Sequence, residues 1–191
     1  MRGGDAYRGI LESNAEEFER MARMISDMLL LAKAENGLVV PSRQVVHLAA
    51  EVQTLFDYYD AVAEEKHLQF RLESDGEVSA DRLMLRLALG NLLSNAVRHS
   101  AVNTTIQVNI WSSADAISIA MKNTGDTIPA EYLDRVFDRF FRVDPSRQRS
   151  IEGTGLGLAI TKSIVLAHGG KIASASADGV TTFTISLPRV A

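Results

Sequence analysis

The sequence predicts an α+β fold, a two-layer sandwich of helices on one sheet, preceded by one long amphipathic helix. Three observations predict it. IQVNIW (106–111) and AISIAMK (116–122) alternate apolar and polar residues and lie close enough to pair as adjacent antiparallel strands. Apolar stretches with helical spacing lie among the strands in mixed order, which argues for helices layered on a sheet with antiparallel hairpins. Ahead of both, Leu11, Ala15, Phe18, Ala22, Ile25, Leu29 and Ala32 recur at alternating steps of four and three, forming one apolar stripe on a helix.

The first helix is expected to stop near Asn36-Gly37, with Pro41 marking a linker. Such a helix cannot bury its own stripe. It packs either on its own domain or in a bundle as a dimerisation helix. QVVHL (44–48) and LQFRL (68–72) read as strands with a helix over about 49–65 between them. A helix follows over about 81–99, with Asp81 as its N-cap. Asp115 falls in the turn of the hairpin, and residues 142–153, RVDPSRQRSIEG, are expected to form a mobile loop. A helix over about 155–168 should end at Gly169-Gly170, and IASAS (172–176) and TFTISLP (182–188) close the chain as strands.

Composition excludes several classes. The chain has 191 residues, enough for one full core plus an appendage, and its 46% hydrophobic content fits a globular protein. A net charge of -4 gives no reason to expect nucleic acid as a partner. No cysteine is present, so disulfides and thiolate metal sites are excluded. No run approaches the roughly 20 apolar residues of a membrane-spanning helix, and MRGGDAYRG lacks a signal-peptide core. Any membrane anchor is expected to lie outside this chain.

Two stretches carry chemistry. In GNLLSNAVRHS (90–100), Asn91, Asn95, Arg98 and His99 stand at i, i+4, i+7 and i+8, one face of a helix that is otherwise apolar. Asparagine is a poor helix former, so this stripe either meets solvent or lines a polar cleft. A carboxamide oxygen suits Mg²⁺, and arginine suits phosphate oxygens. In EGTGLGLAITKSIVLAHGG (152–170), Gly153, Gly155 and Gly157 alternate with Thr154, Leu156 and Leu158 just before an apolar helix. Glycines admit a polyphosphate close to the backbone, and a helix start offers it free N–H groups. The spacing is GxGxG rather than the dinucleotide GxGxxG, and no P-loop or protein-kinase motif set occurs. Two further stretches lie between them. MKNTGDTIP (121–129) places Asn123 at a strand end beside a tight turn, and in YLDRVFDRFFRVD (132–144) Phe137, Phe140 and Phe141 could anchor the base of the polar loop. Arg142, Arg147 and Arg149 would then stand on that loop.

Taken in order, these stretches resemble the ATP-binding domain of sensor histidine kinases, a superfamily shared with gyrase, chaperone and mismatch-repair ATPases. NLLSNAVRH is similar to the N box, NTGDTIP to the G1 box, FDRFF to the F box and GTGLGL to the G2 box. LESNAEEFERMARMISDMLLLAKAEN resembles the second helix of the kinase dimerisation domain, and the flanks resemble heavy-metal (copper/silver-type) sensor kinases. The resemblance implies three regions: residues 1–37 from the dimerisation domain, a linker over 38–43, and an ATP-binding domain over 44–191. It implies ATP and Mg²⁺ as ligands. Asn95 would hold Mg²⁺, Asn91 would bond near the phosphates, Arg98 and Arg142 would contact them, and His99 would lie by the nucleotide. Asn123 and Gly125 would form the adenine end, while Gly153, Thr154, Gly155, Leu156, Gly157 and Leu158 would return the ATP lid (142–153) to the phosphates. The parent kinase would be a homodimer at a bacterial inner membrane, with this part on the cytoplasmic side, passing phosphate to a response regulator.

The chain departs from that pattern in three places. The usual DxGxG of the G1 box reads Asn123, Gly125 and Thr127, a neutral acceptor for the adenine amino group and a residue that needs no glycine-only conformation. The third glycine box, Gly179-Val180-Thr181-Thr182-Phe183, matches loosely. None of His47, His67, His99 and His168 has the phosphoacceptor context, and the first dimerisation helix is missing, so the chain is expected to bind Mg-ATP without phosphorylating itself. Asn91 stands where the hydrolysing ATPases carry a carboxylate base, which argues against that alternative. The other alternative is a degenerate, non-catalytic dimerisation module.

Overall fold

The computed structural model describes residues 3–143 and 154–189. Helix α1 (Gly3–Glu35) leads through a linker into β1 (Gln44–His47), α2 (Leu48–Glu65), β2 (Gln69–Glu73), β3 (Glu77–Ala80) and α3 (Arg82–His99). The hairpin of β4 (Thr105–Ser112) and β5 (Ala116–Thr124) follows, then two 3-10 turns, α4 (Gly157–Ala167), β6 (Lys171–Ala177) and β7 (Val180–Pro188). The main sheet has five strands in the order β2-β4-β5-β7-β6, and β1 and β3 form a separate pair. Only β2 and β4 run parallel; the other neighbours are antiparallel.

Strict alternation explains the two layers. Ile106, Val108 and Ile110 of β4, Ile117, Ile119 and Met121 of β5, and Phe183, Ile185 and Leu187 of β7 are all buried. They face the helices, while Trp111, Ser118 and Ser186 on the opposite parity leave the other face of the sheet to solvent. Leu85, Leu89, Leu92 and Leu93 of α3 and Ile160 of α4 close the core from above. Asp81 caps α3 as expected, its carboxylate accepting from Met84 N–H at 3.1 Å. The chain turns out of α4 at Gly169, whose φ of +73° is the left-handed conformation that ends many helices.

The first helix departs from expectation. It packs against α4, yet through Leu31 with Met24 and Leu30 rather than through the anticipated stripe. Phe18, Ile25 and Leu29 of that stripe stay exposed, at 71%, 60% and 57%, with Met21 and Met28 beside them. Ala15, Ala22 and Ala32 are exposed too, and the side chain of Leu11 lies outside the described residues. One face therefore meets its own domain, and a second apolar face is left open.

One ion triad ties α2 to α3. The buried Glu51 carboxylate accepts from Arg82 Nε at 2.6 Å and from Arg86 Nε at 2.7 Å. Burial alone would raise its pKa, but hydrogen bonds from Arg86 and Arg82, with their charge, outweigh burial and lower it. A carboxylate lowered on folding stabilises the protein above its unfolded value of 4.5, and that contribution is lost as pH falls through the lower folded value. Glu51→Gln is therefore expected to cost about 1–2 kcal/mol at pH 7, because both arginines keep access to water. Its deficit should shrink in thermal melts taken below pH 4; a deficit that stays constant to pH 3 would contradict the triad's role.

Candidate functional site

The polar stripe of α3 faces the start of α4. Asn91 Nδ2 donates to the carbonyl of Gly157 at 3.1 Å, and Thr161 Oγ1 donates to the same oxygen at 2.9 Å. A Cβ on Gly157 would sit 3.4 Å from the Asn91 carboxamide, so the glycine lets the two helices close on each other. Asn95 lies one turn further along the face and is half-buried, as are Asn91 and Arg98. The first turn of α4 has no side-chain cap: its N-cap is Leu156, a fully buried anchor. Thr154 Oγ1 instead accepts from Leu156 N–H at 3.3 Å, and Leu158 is half-buried. The first N–H groups of α4 thus point toward the region beside Asn91 with helix-dipole positive charge behind them.

The turn after β5 forms a second wall. Asn123 is buried at the end of β5, in register with Thr181 of β7. Gly125 lies against α3, where a Cβ would run into the backbone carbonyl of His99. It donates its N–H to Gly179 O at 2.7 Å, and Gly179 N–H donates back to Thr127 Oγ1 at 2.8 Å. Thr127 is absent from the residues with positive φ, in keeping with the expectation that this turn needs no glycine there. The loose third glycine box thereby acquires a structural role, bracing the G1 turn through Gly179.

Charge gathers at the C-terminal end of α3. His99 keeps access to solvent, but crowding by its neighbours and the cations Arg98, Lys66 and Arg142 push its imidazole below the ordinary pKa, with Asp126 opposing them. Arg142, from the start of the lid, is thus brought to the end of the helix that carries Asn91 and Asn95. Lys66 also caps this helix end, its Nζ donating to Val97 O at 2.9 Å and Arg98 O at 3.0 Å.

The three phenylalanines pack unevenly, and residues 144–153 of the expected loop lie outside the described residues. Phe137 is buried edge-on against Phe183, and Phe141 packs on Tyr132 under the Arg135 guanidinium. Phe140 instead is 53% exposed and has a φ of +59°. Its N–H donates to Gly155 O at 3.0 Å, and a Cβ on Gly155, itself at φ +71°, would meet Phe140 Cα at 2.9 Å. Gly153, Arg147 and Arg149 lie outside the described residues.

Of the expected site residues, Asn91 bonds Gly157 at the start of α4, Gly125 abuts His99 at the end of α3 with Arg98 and Arg142 close to that histidine, and Gly155 meets Phe140. The sequence reading missed Lys66, Asp126 and Thr161, and it named Gly179 and Thr181 only as a loose third glycine box. Lys66 had no signal of its own, since a lysine after a helix reads as a solvated end. The spacing of Thr161 from Gly157, one turn, was a usable signal. Among the described residues, no three His, Asp or Glu side chains cluster as a metal site would require. A lone neutral carboxamide fits Mg²⁺ that arrives on a polyphosphate, because Mg²⁺ takes few protein ligands beside substrate phosphates and waters.

An asparagine-faced helix bonded to a glycine-led helix start, both layered on one sheet, suits a nucleotide-binding ATPase-type domain. Residues 80–191 match the histidine kinase-, DNA gyrase B- and HSP90-like ATPase family, and the chain belongs to that family. The sensor histidine kinase CusS of Escherichia coli K12 is 48% identical over 180 residues, covering 94% of this chain and 38% of that protein. The sensor protein IrlS of Burkholderia pseudomallei K96243 is 40% identical over 188 residues, covering 98% of this chain and 40% of that one. The chain thus spans about two fifths of the length of these curated relatives. Among solved structures, the Acinetobacter baumannii histidine kinase AdeS shares the fold, with a TM-score of 0.82 over 95% of this chain and 84% of that chain at 21% identity. Full-length ShkA in complex with AMPPNP does so with a TM-score of 0.84 over 96% of this chain and 39% of that chain at 20% identity.

Proposed function

We propose that this chain is the ATP-binding catalytic portion of a two-component sensor histidine kinase whose parent transfers the γ-phosphate of ATP to a histidine and then to a response regulator. The observation that carries the proposal is the Asn91–Gly157 hydrogen bond. It joins the asparagine face of α3 to the start of α4, which has no side-chain cap, so that carboxamides stand beside helix N–H groups able to take a polyphosphate. In that reading Asn95 Oδ1 holds Mg²⁺, which when bound neutralises charge on the phosphates. Asn91 fixes the position of α4, while Arg98 and Arg142 donate to phosphate oxygens. Asn123 accepts from the adenine amino group, and Gly125 lets the adenine end close against α3. The returning segment, Gly153 to Leu158, presents its backbone to the phosphates, and His99 lies beside the nucleotide. Such a site works by positioning and charge neutralisation rather than covalent chemistry.

Asn91 is a hydrogen-bond donor to Gly157 O here, which disfavours a hydrolysing ATPase that needs a base at that place. Residues 1–37 are proposed as the second helix of the dimerisation domain, with 38–43 as linker and 44–191 as the ATP-binding domain. The open stripe of Phe18, Ile25 and Leu29 supports a homodimer of the parent kinase. The resemblance of the flanks to copper/silver-type sensor kinases supports a heavy-metal response. No helix among the described residues is long and apolar enough to cross a membrane; attachment to a bacterial inner membrane, with this part cytoplasmic, would come from segments outside this chain.

Calorimetric titration of the chain with a non-hydrolysable ATP analogue should give Mg²⁺-dependent binding. Incubation with γ-labelled ATP should give no acid-labile phosphohistidine, because none of the four histidines has the acceptor context. Absence of binding with Mg²⁺ would favour the degenerate module, and labelled histidine on this chain alone would overturn the assignment of the acceptor to another segment.

A further inference from the structure

At the ends of α3 and α4 remote from the Asn91–Gly157 contact, both helices are fastened to the linker through one buried histidine. His168, the C-cap of α4, is 2% exposed, and its Nδ1 lies 2.8 Å from Ile164 O. A carbonyl only accepts, so Nδ1 carries the proton and Nε2 is left as an acceptor. It takes the backbone N–H of Asp81, the N-cap of α3, at 2.9 Å. Two linker-end residues complete the junction. Ser42 N–H donates to Asp81 Oδ2 at 3.0 Å, and Arg43 Nη2 donates to His168 O at 2.9 Å. The chain leaving α1 is thus bonded at once to the start of α3 and the end of α4.

α3 starts at this junction and α4 ends there, and at the start of α4 the middle of α3 is bonded to it again, Asn91 to Gly157. From Asp81 to Asn91 is ten residues, about 15 Å of helix. Between the two ends, Thr161 Oγ1 reaches Ala88 O at 3.4 Å, a close helix–helix contact without long side chains to absorb movement. A packed interface of this kind carries a small displacement along its length instead of damping it.

We propose that His168 and Arg43 are positioning residues. Through them the linker sets the spacing of α3 against α4, and thereby the geometry of the nucleotide site about three helical turns away. The functional consequence rests on the ATP reading above; the structural coupling does not.

The test uses the 191-residue chain with Arg43→Ala, His168→Leu and His168→Gln. In the nucleotide-free chain, the NMR signals of the Asn91 carboxamide and the Gly157 amide should move in Arg43→Ala and His168→Leu. Affinity for a non-hydrolysable ATP analogue with Mg²⁺ should fall about fivefold in both, the scale of coupling through remote contacts. The melting temperature of Arg43→Ala should stay unchanged, because Arg43 is exposed and lies outside the core. His168→Gln retains an acceptor for Asp81 N–H and should recover part of the loss, which a general packing defect would not. Signal changes confined to residues 42–46, 79–84 and 164–170 would overturn the proposal. So would moved signals with unaltered affinity in a chain that binds the analogue. Should the unmodified chain fail to bind, the ATP reading falls, and the Asn91 and Gly157 signals still decide the coupling. If His168→Leu does not fold, Arg43→Ala decides alone.

Discussion

Asn95→Ala is expected to remove Mg²⁺-dependent nucleotide binding, weakening the affinity for an ATP analogue about 100-fold or more. Groups that merely support a metal ligand are worth roughly 10–100-fold in metal affinity, and loss of the ligand itself should exceed that. The side chain is half-buried on the face of α3 that also carries Asn91, and among the described residues no carboxylate cluster could replace it. The alanine removes a poor helix former, so the fold should be unharmed or slightly steadier. Titrations with and without Mg²⁺ separate the roles: the variant should bind the analogue equally weakly in both. Identical curves for the variant and the unmodified chain would end the metal assignment.

Gly125→Ala is expected to be the most damaging single-methyl change among the described glycines. The added Cβ points into the backbone carbonyl of His99, and no rotamer can relieve a clash between two backbones. Either α3 or the turn after β5 must move, and the Gly125–Gly179 and Ala101–Thr124 backbone hydrogen bonds lie at the joint. The cost should be about 3 kcal/mol or more, lowering the melting temperature by roughly 6–12 °C. Gly37→Ala provides the comparison, since its φ is +66° but nothing lies within 4 Å of the new methyl. It should cost only about 1 kcal/mol. Equal melting temperatures for the two variants would show that the turn is free to shift.

The regular elements of the fold were legible in the sequence because they are written in spacing. Period-two alternation in β4, β5 and β7 found the sheet, and the step of four between Asn91 and Asn95 found the polar face of α3. What escaped depends on contacts between distant segments. Glu77–Ala80 is too short to announce itself as a strand, and it forms one only because β1 pairs with it. The burying face of α1 was misread because Leu30 and Leu31 lie off the regular stripe, and a stripe reports amphipathicity without naming its partner. Lys66 and Gly179 serve the site through backbone groups of α3 and the G1 turn, and no local pattern encodes that. The neutral Asn123 at the end of β5 was visible, whereas its burial beside Thr181 required the β5–β7 register.

The backbone hydrogen bond from Phe140 to Gly155 bears on how the segment between them meets a ligand. Fourteen residues, 141–154, run between two points that the folded domain already holds together. Bringing the ends of such a segment into contact costs on the order of 2 kcal/mol of chain entropy. That cost is met once, when the core forms, and it is not charged again each time a nucleotide enters or leaves. In the proposed ATP-bound chain, a contact from Arg142 to phosphate need offset only its own ordering. A segment tethered at both ends in this way can change its sequence and length widely while the core keeps its two anchoring points in place.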